Sequence, residues 1–224
     1  MSTLLEQIAD CIERGKVNRG APYPPDLAGK PGADELTREA LESKIDPQSV
    51  LNDGLVVGMQ RLGRRYSEGK AFVPDLLMSA KAMKAAMAHL GPYFDSGETR
   101  HRGTFVIGTV QGDLHDIGKN LVAMMLEGGG YKVVDLGVNV SAERFVQAVA
   151  DNPGCWVCLS ALLTTTMVNM EKIIAAIHAH DPGVKVMVGG APVTEDFARK
   201  INADAYAADP QRALDFLAIQ AGEH

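Results

Sequence analysis

The segment GTVQGDLHDIGKNLV (108–122) places a histidine and two aspartates directly after an apolar run. Asp113 lies two positions before His115, so its carboxylate can hydrogen-bond one imidazole nitrogen and leave the other nitrogen to bind a metal. A single imidazole holds a free metal ion poorly, and the segment contains no second histidine. The chemistry therefore favours a metal that arrives already bound in a chelating cofactor.

Two later segments, SALLTTT and GGAPV, supply hydroxyl groups and adjacent glycines. A hydroxyl can hold the Asp113 carboxylate in turn. A missing side chain lets a large group approach the backbone closely. The hydroxyl-bearing residues are Ser160, Thr164 and Thr166, and the glycines are Gly189 and Gly190.

Alternating strands and helices after residue 103 must position these groups. The pattern predicts strands at 104–110, 131–137, 155–160, 184–190 and 205–208. It predicts helices at 116–127, 142–151, 166–180, 194–201 and 210–221. Five such units favour a parallel sheet with crossover helices and the strand order 2-1-3-4-5. Ligands bind at the carboxyl ends of such strands where the order reverses, which is where the histidine segment lies.

The first 95 residues have a different pattern, typical of a small helical bundle. Helical spacing covers 4–14, 34–44, 47–65 and 74–90, and Asp46 followed by Pro47 is a favourable helix start. The Gly- and Pro-rich stretch 15–33 is predicted to be irregular, exposed, and extended or mobile. We therefore expect a helical domain over 1–95, a linker over 96–103 and an α/β domain over 104–224.

Composition excludes several classes of partner. The net charge is −6 and no block of lysine or arginine is present, which argues against nucleic acid or an anionic membrane as a partner. No long apolar run and no signal-like N-terminus occur, so a cytoplasmic protein is expected. Cys155 and Cys158 form a Cys-x-x-Cys, but it falls in a predicted buried strand, where structural packing is the favoured interpretation over redox or zinc chemistry.

Three motifs in order resemble the cobalamin-binding signature of methyltransferase corrinoid proteins and of cobalamin-dependent methionine synthase. They are Asp113-Leu114-His115-Asp116-Ile117-Gly118, Ser160-Ala161-Leu162 and Gly189-Gly190. The stretch YSEGKAFVPDLLMSAKAM (66–83) resembles the four-helix cap that precedes the cobalamin domain in that family. The resemblance covers nearly the whole chain and implies a flavodoxin-like or Rossmann-like five-stranded domain after the cap.

The resemblance also implies how the cofactor would be bound. His115 would be the lower axial ligand of cobalt, replacing the cofactor's own dimethylbenzimidazole (base-off, His-on), while Asp113 and Thr166 would complete a hydrogen-bonded relay. Ser160 and Thr164 would meet the displaced nucleotide tail beside the paired glycines, and Tyr66 and Val73 would face the upper side of the corrin. The implied cofactor-binding positions are Gly112, Asp113, His115, Asp116, Ile117, Gly118, Ser160, Leu162, Thr164, Thr166, Gly189, Gly190, Tyr66 and Val73.

The function that the resemblance implies is a methyl carrier whose cobalt cycles between Co(I) and methyl-Co(III). Such a chain would be non-catalytic alone and would serve a substrate-specific methyltransferase, an acceptor methyltransferase acting on tetrahydrofolate or a thiol, and a reductive activase. Methanol, methylamines, betaines, methyl thiols and methoxylated aromatics all remain open as donors. The alternatives are a cobalamin-dependent sensor or regulatory module, disfavoured because no basic DNA-binding segment is present, and an adenosylcobalamin mutase subunit, disfavoured by the methyl-type cap.

Overall fold

The computed structural model describes residues 3–220, with side chains described as far as Phe216. The end of the last predicted helix, residue 221, lies outside the described residues. The chain divides into two compact units, one formed by 1–102 with 128–130 and the other by 103–127 with 131–224. In the part of the chain that the structure describes, no helix combines the length and hydrophobicity needed to cross a bilayer.

The N-terminal unit is helical, as its apolar spacing predicts. The helix that begins after Asp46 is capped as expected, because the Asp46 carboxylate accepts the Ser49 N–H at 2.8 Å and Pro47 follows directly. A short 3₁₀ turn (Pro25–Leu27) and a π-helical segment (Val50–Val56) interrupt the α-helices. The α-helices are α1 (Leu4–Glu13), α2 (Ala33–Glu42), α3 (Pro47–Ser49), α4 (Val57–Ser67) and α5 (Val73–Ser96).

Two helix predictions for this unit need correction. The helix predicted over 74–90 continues through Pro92 and ends only at Ser96, where Gly97 takes a left-handed conformation with φ 80°. Proline removes one backbone donor, but it does not end a helix whose neighbouring turns are held by buried side chains such as Leu90. The helix predicted over 47–65 as one regular element contains the π-helical segment instead.

The stretch 15–33 is irregular, but it is not simply exposed and extended. Lys16 is fully buried, and its ammonium donates to the carbonyl of Ala21 at 2.7 Å. Tyr23 donates to Asp75 at 2.9 Å, which ties the stretch to the first turn of α5. One contact within the segment and one with a residue 52 positions away hold it in place, and composition alone reveals neither.

The C-terminal unit is a five-stranded, all-parallel sheet with the order β2-β1-β3-β4-β5, which confirms the predicted fold class and strand order. The strands are β1 (Thr104–Thr109), β2 (Lys132–Asp135), β3 (Trp156–Ser160), β4 (Lys185–Gly189) and β5 (Ala205–Ala207). The helices are α6 (Ile117–Gly128), α7 (Ala142–Asp151), α8 (Thr164–Met167), α9 (Asn169–His180), α10 (Glu195–Lys200) and α11 (Pro210–Gln220). The helix predicted over 166–180 is thus two helices, divided at Val168.

The register of the sheet brings three polar loops to one edge. Thr109 pairs with Ser160, and Ser160 pairs with Gly189, so β1, β3 and β4 end level with one another. The loops that follow these strands therefore start side by side at the carboxyl edge of the sheet. Beneath them, the apolar side chains of the strands form a core with α7 and α9.

The Cys-x-x-Cys pair packs inside this unit, as the structural interpretation predicts. Cys155 and Cys158 are buried and free, with Cys158 inside β3. Burial raises the pKa of the Cys158 thiol to about 12, so it remains protonated at neutral pH. Burial raises the pKa of the Cys155 thiol as well, so both thiols stay protonated at neutral pH and pack as small apolar side chains.

Candidate cofactor-binding site

The loop between β1 and α6 carries the histidine at the carboxyl edge of the sheet. α6 begins at Ile117, two residues after His115. The Thr109 hydroxyl at the end of β1 donates to the His115 carbonyl at 2.8 Å, and the Asp113 N–H donates to the Val110 carbonyl at 3.1 Å. These bonds fold the loop back on its own strand, so its backbone has a defined path.

Asp113 is the buried centre of this loop, with no exposed surface. One carboxylate oxygen accepts the Thr166 hydroxyl at 2.6 Å and the Leu162 N–H at 2.8 Å. The other accepts the His115 backbone N–H at 3.1 Å and contacts the His115 ring nitrogen Nδ1 at 2.7 Å. The carboxylate therefore joins the loops after β1 and β3, whose members lie about fifty residues apart in the chain.

These donors keep Asp113 ionised. Burial by itself would raise the pKa of the Asp113 carboxyl, but the hydrogen bonds from Thr166, Leu162 and His115 to its charged form hold the pKa well below its ordinary value. An ionised carboxylate can only accept, so it receives the proton of His115 Nδ1. The neutral ring is then left with its lone pair on Nε2, the form that a metal requires.

His115 presents this nitrogen at the surface of the unit. Its side chain is 52% exposed, whereas Asp113 beneath it is fully buried. Large apolar side chains that are unusually exposed lie on the loops after β1, β2 and β3 and at the start of α6. They are Leu114, Ile117, Val138, Leu162 and Leu163, each between 36% and 75% exposed. Such a cluster is typical of a surface that an apolar partner or ligand covers.

Gly118 leaves further space beside this surface. A Cβ atom built on Gly118 would meet no atom of the chain within 4 Å. Alanine in a helix is more stable than glycine by about 1 kcal/mol. The first turn of α6 therefore carries a glycine that the packing of its own unit does not require, and it leaves room for an external group.

The donor set fits a metal in a chelating macrocycle better than a free ion. Among the described residues, no group of three histidine, cysteine, aspartate or glutamate side chains is arranged to hold a metal ion. One imidazole on an apolar surface supplies a single axial ligand and a large contact area. Both features match the resemblance to cobalamin-binding proteins.

Gly190 has a structural role that the sequence does not reveal. A Cβ atom built on Gly190 would lie 1.9 Å from the Ala161 carbonyl oxygen, and φ is 121°. For Gly189 the corresponding atom would lie 2.9 Å from the Ala207 carbonyl oxygen. At both positions the space that a side chain would fill is therefore taken by the protein's own backbone. The approach of a large ligand to these glycines stays a prediction.

The remaining predicted residues fall into two groups. In the C-terminal unit, Ser160 is half-buried at the end of β3, while Gly112, Asp116 and Thr164 are exposed on the loops and the first turn of α8. In the N-terminal unit, Tyr66 is half-buried near the end of α4, and Val73 begins α5 with 37% of its surface exposed. Their proposed contacts with the cofactor stay predictions.

Three positions at this edge were not singled out by the sequence. Leu163 adds a second backbone N–H to Asp113 at 3.3 Å. The side chains of Asn139 and Asn169 hydrogen-bond the backbone of the histidine loop at Gly112 and Gln111. A backbone donor carries no sequence signal, and an asparagine in a loop is too common to single out.

Two family models match the chain, both described as a B12 binding domain, over residues 103–215 and over residues 29–90. The first match covers the α/β unit with all three motifs. The chain belongs to the B12-binding corrinoid proteins of methyltransferase systems. It is 43% identical to trimethylamine corrinoid protein 2 of Methanosarcina mazei over 179 residues, which cover 78% of this chain and 82% of that protein.

Solved structures of corrinoid and cobalamin proteins have the same fold. The methanol:cobalamin methyltransferase complex of Methanosarcina barkeri matches with a TM-score of 0.81 and 31% identity, covering 98% of this corrinoid protein and 80% of that chain. A cobalamin-binding protein of Desulfitobacterium hafniense matches with a TM-score of 0.74 and 26% identity, covering 96% and 97%. The helical unit and the α/β unit both fall within these matches.

Replacing Asp113 with asparagine tests the buried carboxylate. Every contact of its two oxygens is with a donor, so an amide NH₂ faces a donor whichever way it turns. We expect Asp113→Asn to lower the free energy of unfolding of the cofactor-free protein by about 1–3 kcal/mol in urea titrations at pH 7. Asp53→Asn, at an exposed position, is the control and should change it by less than about 0.5 kcal/mol.

The pH dependence of that difference follows from the lowered pKa of Asp113. A carboxyl whose pKa is lower in the folded chain stabilises it fully above the unfolded pKa of about 4, and the stabilisation falls as pH drops further. The free-energy advantage of the wild type over Asp113→Asn should therefore be fully present at pH 7 and shrink below about pH 4. An advantage that stays unchanged down to about pH 3 would contradict the assignment of an ionised Asp113.

Proposed function

We propose that this corrinoid protein carries methyl groups between two methyltransferases and holds cobalamin base-off with His115 as the lower ligand of cobalt. When bound, cobalamin supplies a cobalt centre that takes up a methyl group and gives it up again. The observation that carries the proposal is the single half-exposed imidazole, held through Nδ1 by a buried and ionised Asp113. It is supported by the family to which the chain belongs.

The protein's own residues would orient the ligand and manage its proton. Asp113 keeps the lone pair of His115 on Nε2, and the Thr166 hydroxyl stabilises the negative charge of Asp113. His115 Nδ1 and the Asp113 carboxylate are 2.7 Å apart, so these two residues could share a proton when the ring does not bind a metal. Thr166, Asp113 and His115 would therefore act as one hydrogen-bonded relay.

The neighbouring groups would contact the cofactor rather than the cobalt. The exposed apolar residues on the loops would cover the lower face of the corrin, and the open space at Gly118 would let it approach α6. The displaced nucleotide tail would meet hydroxyl and backbone groups at the ends of β3 and β4. The residues proposed for these contacts are Gly112, Asp116, Ile117, Gly118, Ser160, Leu162, Thr164, Gly189 and Gly190, with Tyr66 and Val73 on the upper side.

The partners would be one methyltransferase that takes the methyl group from a donor and a second that delivers it to tetrahydrofolate or a thiol, with a reductive activase restoring inactive cobalt. We propose a methylated amine as the donor, because the relative with 43% identity is a trimethylamine corrinoid protein. The methanol:cobalamin methyltransferase complex is less similar to this chain, with 31% identity.

Methyl uptake tests the carrier function directly. The protein is loaded with cobalamin, reduced, and incubated with a trimethylamine-specific methyltransferase and deuterated trimethylamine. We expect mass spectrometry to find one deuterated methyl group per bound corrinoid, and none when either the corrinoid or the methyltransferase is omitted. Uptake only from methanol with a methanol-specific methyltransferase would change the donor class. Absence of uptake from both, with binding of DNA instead, would favour a regulatory module.

A further inference from the structure

Asn139, in the loop between β2 and α7, hydrogen-bonds the histidine loop with both its side chain and its backbone. This residue has φ 54°, a left-handed conformation that few non-glycine residues adopt. Its side-chain oxygen accepts the Gly112 N–H at 2.7 Å, and its own N–H donates to the Asp113 carbonyl at 2.9 Å. Asn139 thus hydrogen-bonds the backbone on both sides of the Asp113 side chain, at the Gly112 N–H and at the Asp113 carbonyl.

The turn that carries Asn139 is itself anchored on the end of β1. Thr109 donates its N–H to the Gly137 carbonyl at 3.0 Å and accepts the Val140 N–H at 2.9 Å. The Thr109 hydroxyl donates to the His115 carbonyl at 2.8 Å. The same residue therefore fixes both the Asn139 turn and the far end of the histidine loop, and Asn139 closes the connection between them.

We propose that Asn139 is a positioning residue for His115, acting through Gly112 and Asp113, and that this role rests on the proposed ligation of cobalt by His115. An axial ligand works only if its nitrogen stays at a defined height and angle, and a loop held only by its own strand has more freedom. Asp113 already joins the histidine loop to the loop after β3, and the side-chain oxygen and left-handed backbone of Asn139 add an anchor from the loop after β2. Asn169 holds the same loop from α9, donating to the Gln111 carbonyl at 2.8 Å.

Four variants separate the effect of the side-chain oxygen of Asn139 from the effect of its left-handed backbone. Asn139→Ala removes the side-chain oxygen and disfavours the positive φ, whereas Asn139→Gly removes the oxygen alone. Asn139→Asp keeps an acceptor in a residue that tolerates this conformation. Asn202→Ala is the matched control, because Asn202 also has a left-handed conformation, φ 56°, but lies after α10.

The first measurement uses cofactor-free protein labelled with [15N]histidine. The Nδ1 proton of His115 is identified by NMR as the signal lost in His115→Ala. We expect this proton to exchange with water about fivefold faster in Asn139→Ala and Asn139→Gly, since one hydrogen bond contributes about 1 kcal/mol. Asn139→Asp and Asn202→Ala should keep the wild-type rate.

The second measurement uses the same labelled proteins with cobalamin bound and reduced to Co(II). We expect electron paramagnetic resonance to show splitting by one protein nitrogen in the wild type, Asn139→Asp and Asn202→Ala. In Asn139→Ala and Asn139→Gly, the share of the signal with that splitting should fall, and the dissociation constant for cobalamin should rise about fivefold.

Three results would overturn the inference. They are wild-type exchange and splitting in Asn139→Ala and Asn139→Gly, equal damage in Asn139→Asp, or equal damage in Asn202→Ala, which would indicate general loosening. A wild type without nitrogen splitting would instead overturn the ligation by His115. In that case the exchange rates in the cofactor-free protein still decide whether Asn139 positions the ring.

Discussion

His115→Ala should abolish the protein nitrogen signal on cobalt while leaving the fold intact. The ring is half-exposed, and Asp113 keeps its bonds to Thr166, to Leu162 and to the backbone N–H of residue 115 when the ring is removed. We therefore expect the free energy of unfolding to change by no more than about 1 kcal/mol. Removing a partner of a metal ligand typically costs 10- to 100-fold in affinity, so loss of the ligand itself should weaken cobalamin binding at least about tenfold.

Electron paramagnetic resonance of the Co(II) form measures the ligand directly, and absorbance titration measures the affinity. His180→Ala is the control, because His180 is exposed at the end of α9 and away from the carboxyl edge of the sheet. The control should keep both the nitrogen splitting and the wild-type affinity. If His115→Ala retained a protein nitrogen on cobalt, another residue would be the ligand and the proposed binding mode would be wrong.

Gly190→Ala should cause the largest loss of stability of the substitutions considered. The added Cβ would lie 1.9 Å from the Ala161 carbonyl oxygen and 2.9 Å from its carbonyl carbon, so backbone would have to move rather than a flexible side chain. A strained φ costs about 1–3 kcal/mol, and overpacking costs about 1–3 kcal/mol more. We expect a loss of about 2–6 kcal/mol in the free energy of unfolding of the cofactor-free protein.

Gly154→Ala separates the cost of backbone strain from the cost of overpacking. Gly154 also has a positive φ, 75°, but a Cβ there would meet no atom within 4 Å. It should therefore lose only about 1–2 kcal/mol from backbone strain. Equal losses in the two variants, measured by urea denaturation, would show that the close approach to Ala161 relaxes at little cost.

The fold of the α/β unit could be predicted from the sequence because its signals are local and repeated. Apolar β-rich runs alternate with helical windows five times, and right-handed crossovers restrict how such units assemble. The order 2-1-3-4-5, which is common for a five-unit domain of this kind, is the observed one. The start of α7 illustrates the local accuracy. The helix begins at Ala142, as predicted, and the hydroxyl of the preceding Ser141 accepts the Arg144 N–H.

The helical unit was predicted less well where distant contacts override local signals. Pro92 and the glycine before it indicate a helix end, but α5 continues to Ser96. Composition predicts an exposed segment at 15–33, but Lys16 is fully buried and Tyr23 binds Asp75. Asp75 lies 52 residues from Tyr23, so a local window does not contain the contact that holds this segment against α5.

The sequence by itself determined the chemistry of the site: a histidine two residues after an aspartate, at the end of the first strand of a five-unit parallel sheet, in a chain of the B12-binding family. Only the tertiary structure decided how that pair is held. Leu162 and Thr166 reach Asp113 across about fifty residues, and Asn139 reaches Gly112 across 27. Such contacts depend on the register of neighbouring strands and on backbone groups that every residue carries, so residue types alone do not specify them.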